Sequence, residues 1–304
     1  MTEQFTTMAQ LKSGPVITAM PIRSFLFAPA NHPRKVEKVF ASGADAVILD
    51  LEDACAAAEK AASRASAVDA LSAPRPCLGY VRINAADTEW CLRDLDGVIG
   101  PWLDGIVAPK IEKPEEIVLI DWLIAQFERE RGLPVGGIDL MPIIETGAGL
   151  HALDAIIAAG TRIRRISFGA GDFTRDMRMK WSADEAELAY ARGRLVLASR
   201  VGGLEAPIDT VHIDLDDEES FAGSVVTGVK FGFQGKLLIH PKQVALTNRS
   251  FMPSEKEIAR ARKIVDAFTA AENAGSASIK VDGYFVDYPI VEKAQQVLAL
   301  AARL

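Results

Sequence analysis

From residue 22 onward, short runs rich in Val, Ile and Leu alternate with Ala-rich, charge-bearing runs of helical character. The candidate strands are Arg23–Ala30, Ala46–Leu51, Leu78–Asn84, Gly105–Lys110, Asp139–Glu145, Arg165–Gly169, Ile208–Ile213 and Lys236–His240, eight in all. Their C-terminal ends recur at intervals of about 30 residues, the size of one strand–helix unit. Such an alternation restricts a chain to a parallel sheet with helical crossovers, and eight units predict a TIM (β/α)8 barrel. A doubly wound open sheet uses the same alternation, but no Gly-x-Gly-x-x-Gly follows the first strand, which weakens that alternative. Helix starts are marked by Pro33 and Pro114 and by the acids of Asp216-Asp-Glu-Glu219.

Residues 1–21 read as a loose N-terminal extension and 22–271 as the barrel, whose eighth helix begins past residue 254 and ends near Ala271. The stretch from Ala270 to Ser278, rich in Ala, Gly and Ser, reads as a hinge, so that 272–304 becomes a hinge and C-terminal lid. Within it Asp282-Gly283 signals a hairpin turn, and Val286-Asp287-Tyr-Pro289 opens a final helix. A length of 304 residues with 49% hydrophobic side chains allows one large α/β domain or two small ones, and composition alone does not choose between them. The net charge of −7, with no block of like charges, gives no electrostatic case for nucleic acid or an anionic membrane as partner. No run approaches the ~18 apolar residues of a membrane span, and the first residues lack the pattern of a signal peptide. Cys55, Cys77 and Cys91 are an odd number without Cys-x-x-Cys spacing, which suits a reducing compartment. The expectation is a cytoplasmic protein.

In a TIM barrel the C-terminal strand ends face the active-site rim, so polar residues there carry functional weight. Strand five ends in Glu145 and strand six in Asp172, which makes the pair neighbours on one rim. Two carboxylates without a nearby His or Cys are a poor zinc set, whereas Mg²⁺ keeps several waters and accepts substrate oxygens. The alternative is that both acids cap helices or pair with cations. Strand one leads into Asn31-His-Pro-Arg34-Lys35, either a phosphate-binding turn or an exposed capped helix. Strand two ends in Asp50-Leu-Glu52-Asp53, acids suited to orienting Arg82 or holding metal-bound waters. Arg82, in the apolar third strand, needs an anionic partner: a substrate carboxylate, Glu52 or Asp53. Lys110, ending strand four, is an anion contact or a solvated rim charge, and His240, before Pro241, reads as structural rather than catalytic.

With these residues in view, the chain resembles the citrate lyase β-subunit-like family, which includes malyl-CoA and citramalyl-CoA lyases. The likeness rests on Arg23-Ser-Phe-Leu-Phe-Ala-Pro-Ala-Asn31, Gly43-Ala-Asp-Ala-Val-Ile-Leu-Asp-Leu-Glu-Asp-Ala54, Val81-Arg-Ile-Asn84, Pro142-Ile-Ile-Glu-Thr146, Phe168-Gly-Ala-Gly-Asp172, Ala206-Pro-Ile-Asp-Thr-Val211 and Gly235-Lys-Leu-Leu-Ile-His-Pro-Lys-Gln243. It spans nearly the whole chain. The resemblance implies Mg²⁺, or Mn²⁺ in its place, on Glu145 and Asp172, a substrate-binding Arg82, and CoA held near the first and last strands, with Asn31, Arg34, Lys35 and Lys110 as candidate contacts to substrate or CoA. It also implies a homotrimer or hexamer, in which Asp287 reaches the neighbouring subunit's site. The related 2-keto-acid aldolases carry a His directly after Asp-x-Glu of strand two, where this chain has Asp53, which argues against a His-based aldolase. Gly171 stands where relatives often have a bulkier residue.

The activity so implied is reversible retro-Claisen cleavage of a 3-hydroxyacyl-CoA thioester to acetyl-CoA and a 2-oxo acid. Arg82 would stabilise the oxygens that gain charge, and Asp287 would exchange the proton at the acetyl carbon. Competing readings are a malyl-CoA-type thioesterase, a citrate lyase β subunit acting on an acyl-carrier-protein thioester, and a non-catalytic sensor. A single methyl is worth only ~1–3 kcal/mol in a pocket, so the acyl group is not fixed by the sequence.

Overall fold

The computed structural model describes residues 21–303, so the extension read over 1–21 lies, apart from Pro21, outside the described residues. The first half of the barrel comprises β1 (Ser24–Pro29), α1 (Pro33–Phe40), β2 (Ala46–Asp50), α2 (Lys60–Ser72), β3 (Leu78–Arg82), α3 (Cys91–Val98), β4 (Gly105–Ala108), α4 (Pro114–Glu130) and β5 (Asp139–Ile144). The second comprises α5 (Gly147–His151), α6 (Leu153–Ala158), β6 (Ser167–Phe168), α7 (Ala170–Asp176), α8 (Ala189–Val201), β7 (Ile208–Asp209), α9 (Glu218–Phe231), β8 (Gly235–Leu238) and α10 (Val244–Ser250). All eight strands pair in parallel in sequence order, and β1 closes on β8 with Ser24 opposite Lys236. The fold is the TIM barrel that the alternation predicts.

The barrel strands are buried on both faces apart from Leu78 at the start of β3, which is why their sequences read as continuous apolar runs. One parity points inward: Phe25, Ile48, Tyr80, Val107, Met141, Ile143, Ile208 and Leu237 fill the barrel. The other, including Leu26, Leu49, Val81, Ile106, Ile144 and Leu238, packs against the helices. Gly105 gives up its side chain to this filling, since a Cβ there would lie 2.1 Å from the Tyr80 ring. The helices start where their chemistry dictates. Pro33 and Pro114 occupy first-turn positions, and the Asp217 side chain accepts from Ser220 N at 2.9 Å to cap α9.

Two expectations are corrected. Strands six and seven shrink to Ser167–Phe168 and Ile208–Asp209, because Gly169 already turns into α7 and the Thr210 hydroxyl is taken by the Ala170 amide at 2.8 Å. The helix past residue 254 is not the barrel's eighth: α10 follows β8 directly. What lies beyond is α11 (Glu255–Asn273), a hairpin of β9 (Ile279–Val281) and β10 (Tyr284–Val286), and α12 (Tyr288–Ala301). Ala261, Ile264 and Phe268 of α11 join Val281, Val286, Val291 and Ala294 in an apolar cluster of their own. The α11 helix also runs through the first part of the stretch read as a hinge, leaving 274–278 irregular. At the hairpin, Asp282 (φ 49°) and Gly283 (φ 87°) both adopt the left-handed backbone that a two-residue turn needs. No helix among the described residues is long and apolar enough to cross a membrane.

Candidate active site

Inward parity carries chemistry as soon as the apolar filling ends. Asp50 lies two residues past Ile48, Arg82 two past Tyr80 and Glu145 two past Ile143, so all three face the barrel mouth. Asp50 and Arg82 are direct register partners across β2 and β3. The Arg82 guanidinium donates through Nε to Asp50 Oδ1 at 2.7 Å and through Nη2 to Oδ2 at 2.5 Å. Asp50 is itself fixed, accepting the amides of Glu52 at 2.9 Å and Ala54 at 3.2 Å. Arg82 Nη1 lies 2.8 Å from Glu52 Oε2 but off the line of its N–H bonds, a charge contact that leaves those hydrogens for other oxygens. Below the guanidinium, 5.0 Å away, is the Phe27 ring. Burial pulls the Arg82 pKa down, and Asp50 and Glu52 more than reverse it, so the cation is permanent.

Glu52 also holds the ammonium of Lys110, whose own backbone is unusual. At φ 52° Lys110 is a non-glycine residue in the left-handed region. That twist turns its amide toward Glu145, which accepts the hydrogen bond on Oε1 at 2.8 Å. Glu145 is only 3% exposed. Burial pushes its pKa up to about 8, with repulsion from Glu52 and Asp172 working against the attraction of Arg82. Asp172 stands in the first turn of α7, 2.6 Å from Nη2 of Arg175, a side chain 74% exposed and therefore screened by water.

Four carboxylates thus converge here, and of the cations beside them Arg82 is paired with Asp50 and Glu52 and Lys110 with Glu52. Glu145 and Asp172 offer oxygen donors alone, the chemistry of a hard divalent cation site. Among the described residues no group of three or more His, Cys, Asp or Glu could close around a metal. A cation held by this pair would keep open positions.

A cavity of about 990 Å³ runs from Arg82 and Asp50 over the ends of β1 and β8 to Lys35 and Lys38. His240 lines it too, while capping the turn that follows by accepting from the Lys242 amide at 3.2 Å. Asn31 and Arg34 lie outside this lining: Asn31 donates to Glu59 at 2.6 Å, and Arg34 sits on the exposed face of α1. Asp53 reaches Lys110 only at 3.5 Å, so Asp50 and Glu52, not Asp53, are the partners of Arg82.

The comparisons with known proteins follow this geometry. The HpcH/HpaI aldolase/citrate lyase family model matches residues 23–241, more than half of the chain. The chain belongs to that family. It is 36% identical over 285 residues to citrate lyase subunit beta of Leuconostoc mesenteroides subsp. cremoris, covering 92% of this chain and 93% of that one. It is 33% identical to the L-malyl-CoA/beta-methylmalyl-CoA lyase of Cereibacter sphaeroides, over 93% of this chain and 95% of that one. Among solved structures, CitE from Mycobacterium tuberculosis in complex with magnesium, acetoacetate and coenzyme A superposes with a TM-score of 0.77 at 28% identity. That match covers 94% of this chain and 99% of the other. As a member of the family the protein is a carbon–carbon lyase.

Some parts of this lyase's site escape a reading of strand ends. The buried Lys60, from α2, donates to the carbonyls of Leu51 at 2.8 Å and Glu52 at 3.0 Å and to Asn84 Oδ1 at 2.6 Å. It thereby fixes the turn that presents Glu52. Nothing in its helical setting marks it in the sequence. Asp287 occupies the cap position of α12, yet its side chain makes no capping hydrogen bond and remains partly exposed.

Proposed function

We propose that the protein catalyses reversible cleavage of a 3-hydroxyacyl-CoA thioester, of malyl-CoA or citramalyl-CoA type, to acetyl-CoA and a 2-oxo acid. The observation that carries this reading is the junction of Arg82, Glu52 and the desolvated Glu145 at the mouth of the barrel, with a cavity leading from Arg82 to Lys35 and Lys38. Relatives that act on malyl-CoA, and a structural neighbour that holds magnesium and coenzyme A, support it. Glu145 and Asp172 are the groups that would hold Mg²⁺, or Mn²⁺ in its place. Bound there, the ion supplies Lewis acidity toward the oxygens of the 2-oxo acid half.

The residues of the chain do the rest. Arg82 directs its free Nη1 hydrogens at the oxygens where charge accumulates, its plane fixed by Asp50. Lys110 pairs with Glu52 beside it and holds Glu145 through its amide. Lys35 and Lys38 receive the CoA phosphates as point charges, with Asn31 and Arg34 outside the cavity lining. The substrate hydroxyl gives its proton to water in the open cavity, its oxygen becomes the carbonyl of the 2-oxo acid, and the electron pair of the breaking carbon–carbon bond passes to the thioester as its enolate. Asp287 then protonates that carbon, and removes the proton in the reverse direction. We assign this Asp287 to a neighbouring subunit in a homotrimer or hexamer, with the segment beyond α11 as its lid, and place the enzyme in the cytoplasm.

Incubating the purified protein and Mg²⁺ with a panel of hydroxyacyl-CoA thioesters, and separating the products, tests the reading. Acetyl-CoA and a 2-oxo acid in equal amounts are expected. Free CoA with an intact hydroxy acid would make it a thioesterase. Turnover only of acyl-carrier-protein thioesters would make it a subunit of the citrate lyase kind, as in the Leuconostoc relative.

A further inference from the structure

Gly169 sits between the last residue of β6 and the first of α7, with φ −111° and ψ 83°. Any L residue adopts a negative φ of that size, so the backbone does not require glycine here. Space does. A Cβ on residue 169 would stand 2.4 Å from Glu145 Oε2, 2.6 Å from Glu145 Cβ and 2.9 Å from Ile143 Cγ2. Rotating the carboxylate away relieves the first contact only, because the second is to the root of the side chain. The Gly169 amide donates to the Ile144 carbonyl at 3.1 Å, which fixes β5 and the start of α7 at this separation.

Glu145 is thus held from two sides by backbone. On one, the left-handed Lys110 donates its amide at 2.8 Å. On the other, the bare Cα of Gly169, three residues before Asp172 in the first turn of α7, leaves room for Glu145. We infer that Gly169 is a positioning residue for Glu145, and that its missing side chain sets the affinity of the Glu145–Asp172 pair for a divalent cation. This rests on the proposal that Glu145 is a cation ligand. Two residues on, Gly171 supplies the contrast: a Cβ there meets only Trp181 Cζ3 at 3.7 Å, an ordinary contact, although it is the residue adjacent to Asp172.

The test is Mn²⁺ binding to the full-length protein, followed by the loss of the free-ion signal in electron paramagnetic resonance, with no substrate present. Wild type is expected to bind and Glu145→Gln to lose binding; if wild type takes up no Mn²⁺, the reading of the site and this inference both fall. Given wild-type binding, Gly169→Ala should weaken it about 10–100-fold, the range for residues that orient a ligand, while Gly171→Ala stays close to wild type. Equal affinity of Gly169→Ala and wild type overturns the inference and leaves the function standing, and so does equal weakening by both alanines. Should Gly169→Ala fail to accumulate as folded protein, the Glu145→Gly/Gly169→Ala double variant decides. Recovery of folding there assigns the clash to Glu145; no recovery leaves Ile143 Cγ2 as the obstacle and overturns the inference.

Discussion

Replacing Arg82 by Lys keeps the charge and removes the fork. Asp50 now receives two hydrogen bonds from the guanidinium, at 2.7 and 2.5 Å, and a lysine ammonium replaces at most one of them in that geometry. One lost hydrogen bond to a charged group is worth ~1.5–3 kcal/mol, and Asp50 is only 2% exposed, so water does not make up the difference. At about 2.1 cal/mol/K of unfolding entropy per residue, each kcal/mol shifts the midpoint of thermal unfolding of a chain this long by roughly 1.6 °C, which predicts a fall of about 2–5 °C. The catalytic effect should be larger, because the Nη1 edge disappears with the fork. Loss of a donor aimed at developing charge costs ~10²–10³ in kcat. Calorimetry on the metal-free protein and steady-state kinetics on the preferred thioester read the two quantities separately. A variant with an unchanged midpoint and kcat within about threefold of wild type, against the 10²–10³ loss expected of a lost donor, would refute both the fork and its role.

Two further outcomes are expected. Glu128 is fully buried and, although burial raises its pKa, Arg162 and the amides of Ile138 and Gly136 hold it below the ordinary 4.5. Its contribution is complete above about pH 4.5 and disappears as pH falls through the lowered value, so Glu128→Gln should be less stable at pH 7 and lose less on acidification; parallel pH–stability curves would contradict this. Glu145→Ala and Asp287→Ala, each inactive alone, should regain part of the wild-type activity in verified mixed oligomers, since some sites then combine both intact residues; full activity of Asp287→Ala by itself removes the tail from the mechanism.

The eight strands were legible because both of their faces are buried in apolar surroundings, as Ala46–Asp50 illustrates with every residue enclosed. Their ends were less so. Past Phe168 the same apolar run gives way to a glycine whose role is to make room, and sequence cannot distinguish a glycine needed for turning from one needed for space. Of the acids in Asp50-Leu-Glu52-Asp53, alternation from Ile48 points to Asp50 and Glu52 on the inner face, and those two hold Arg82. The left-handed Lys110 left no trace, since nothing about a lysine announces such a backbone. In α11 the stripe Ala261, Ile264 and Phe268 announced a buried face but not which neighbour buries it, and the tail rather than the barrel does so.

The central claim is that Glu145 and Asp172 form a cation site at the barrel mouth beside Arg82. Anomalous diffraction from crystals grown with Mn²⁺ tests it most directly. The account predicts one strong peak about 2.0–2.3 Å from a carboxylate oxygen of each residue, with its remaining positions open to solvent. A peak elsewhere on the rim, or an empty site at saturating Mn²⁺, would contradict it.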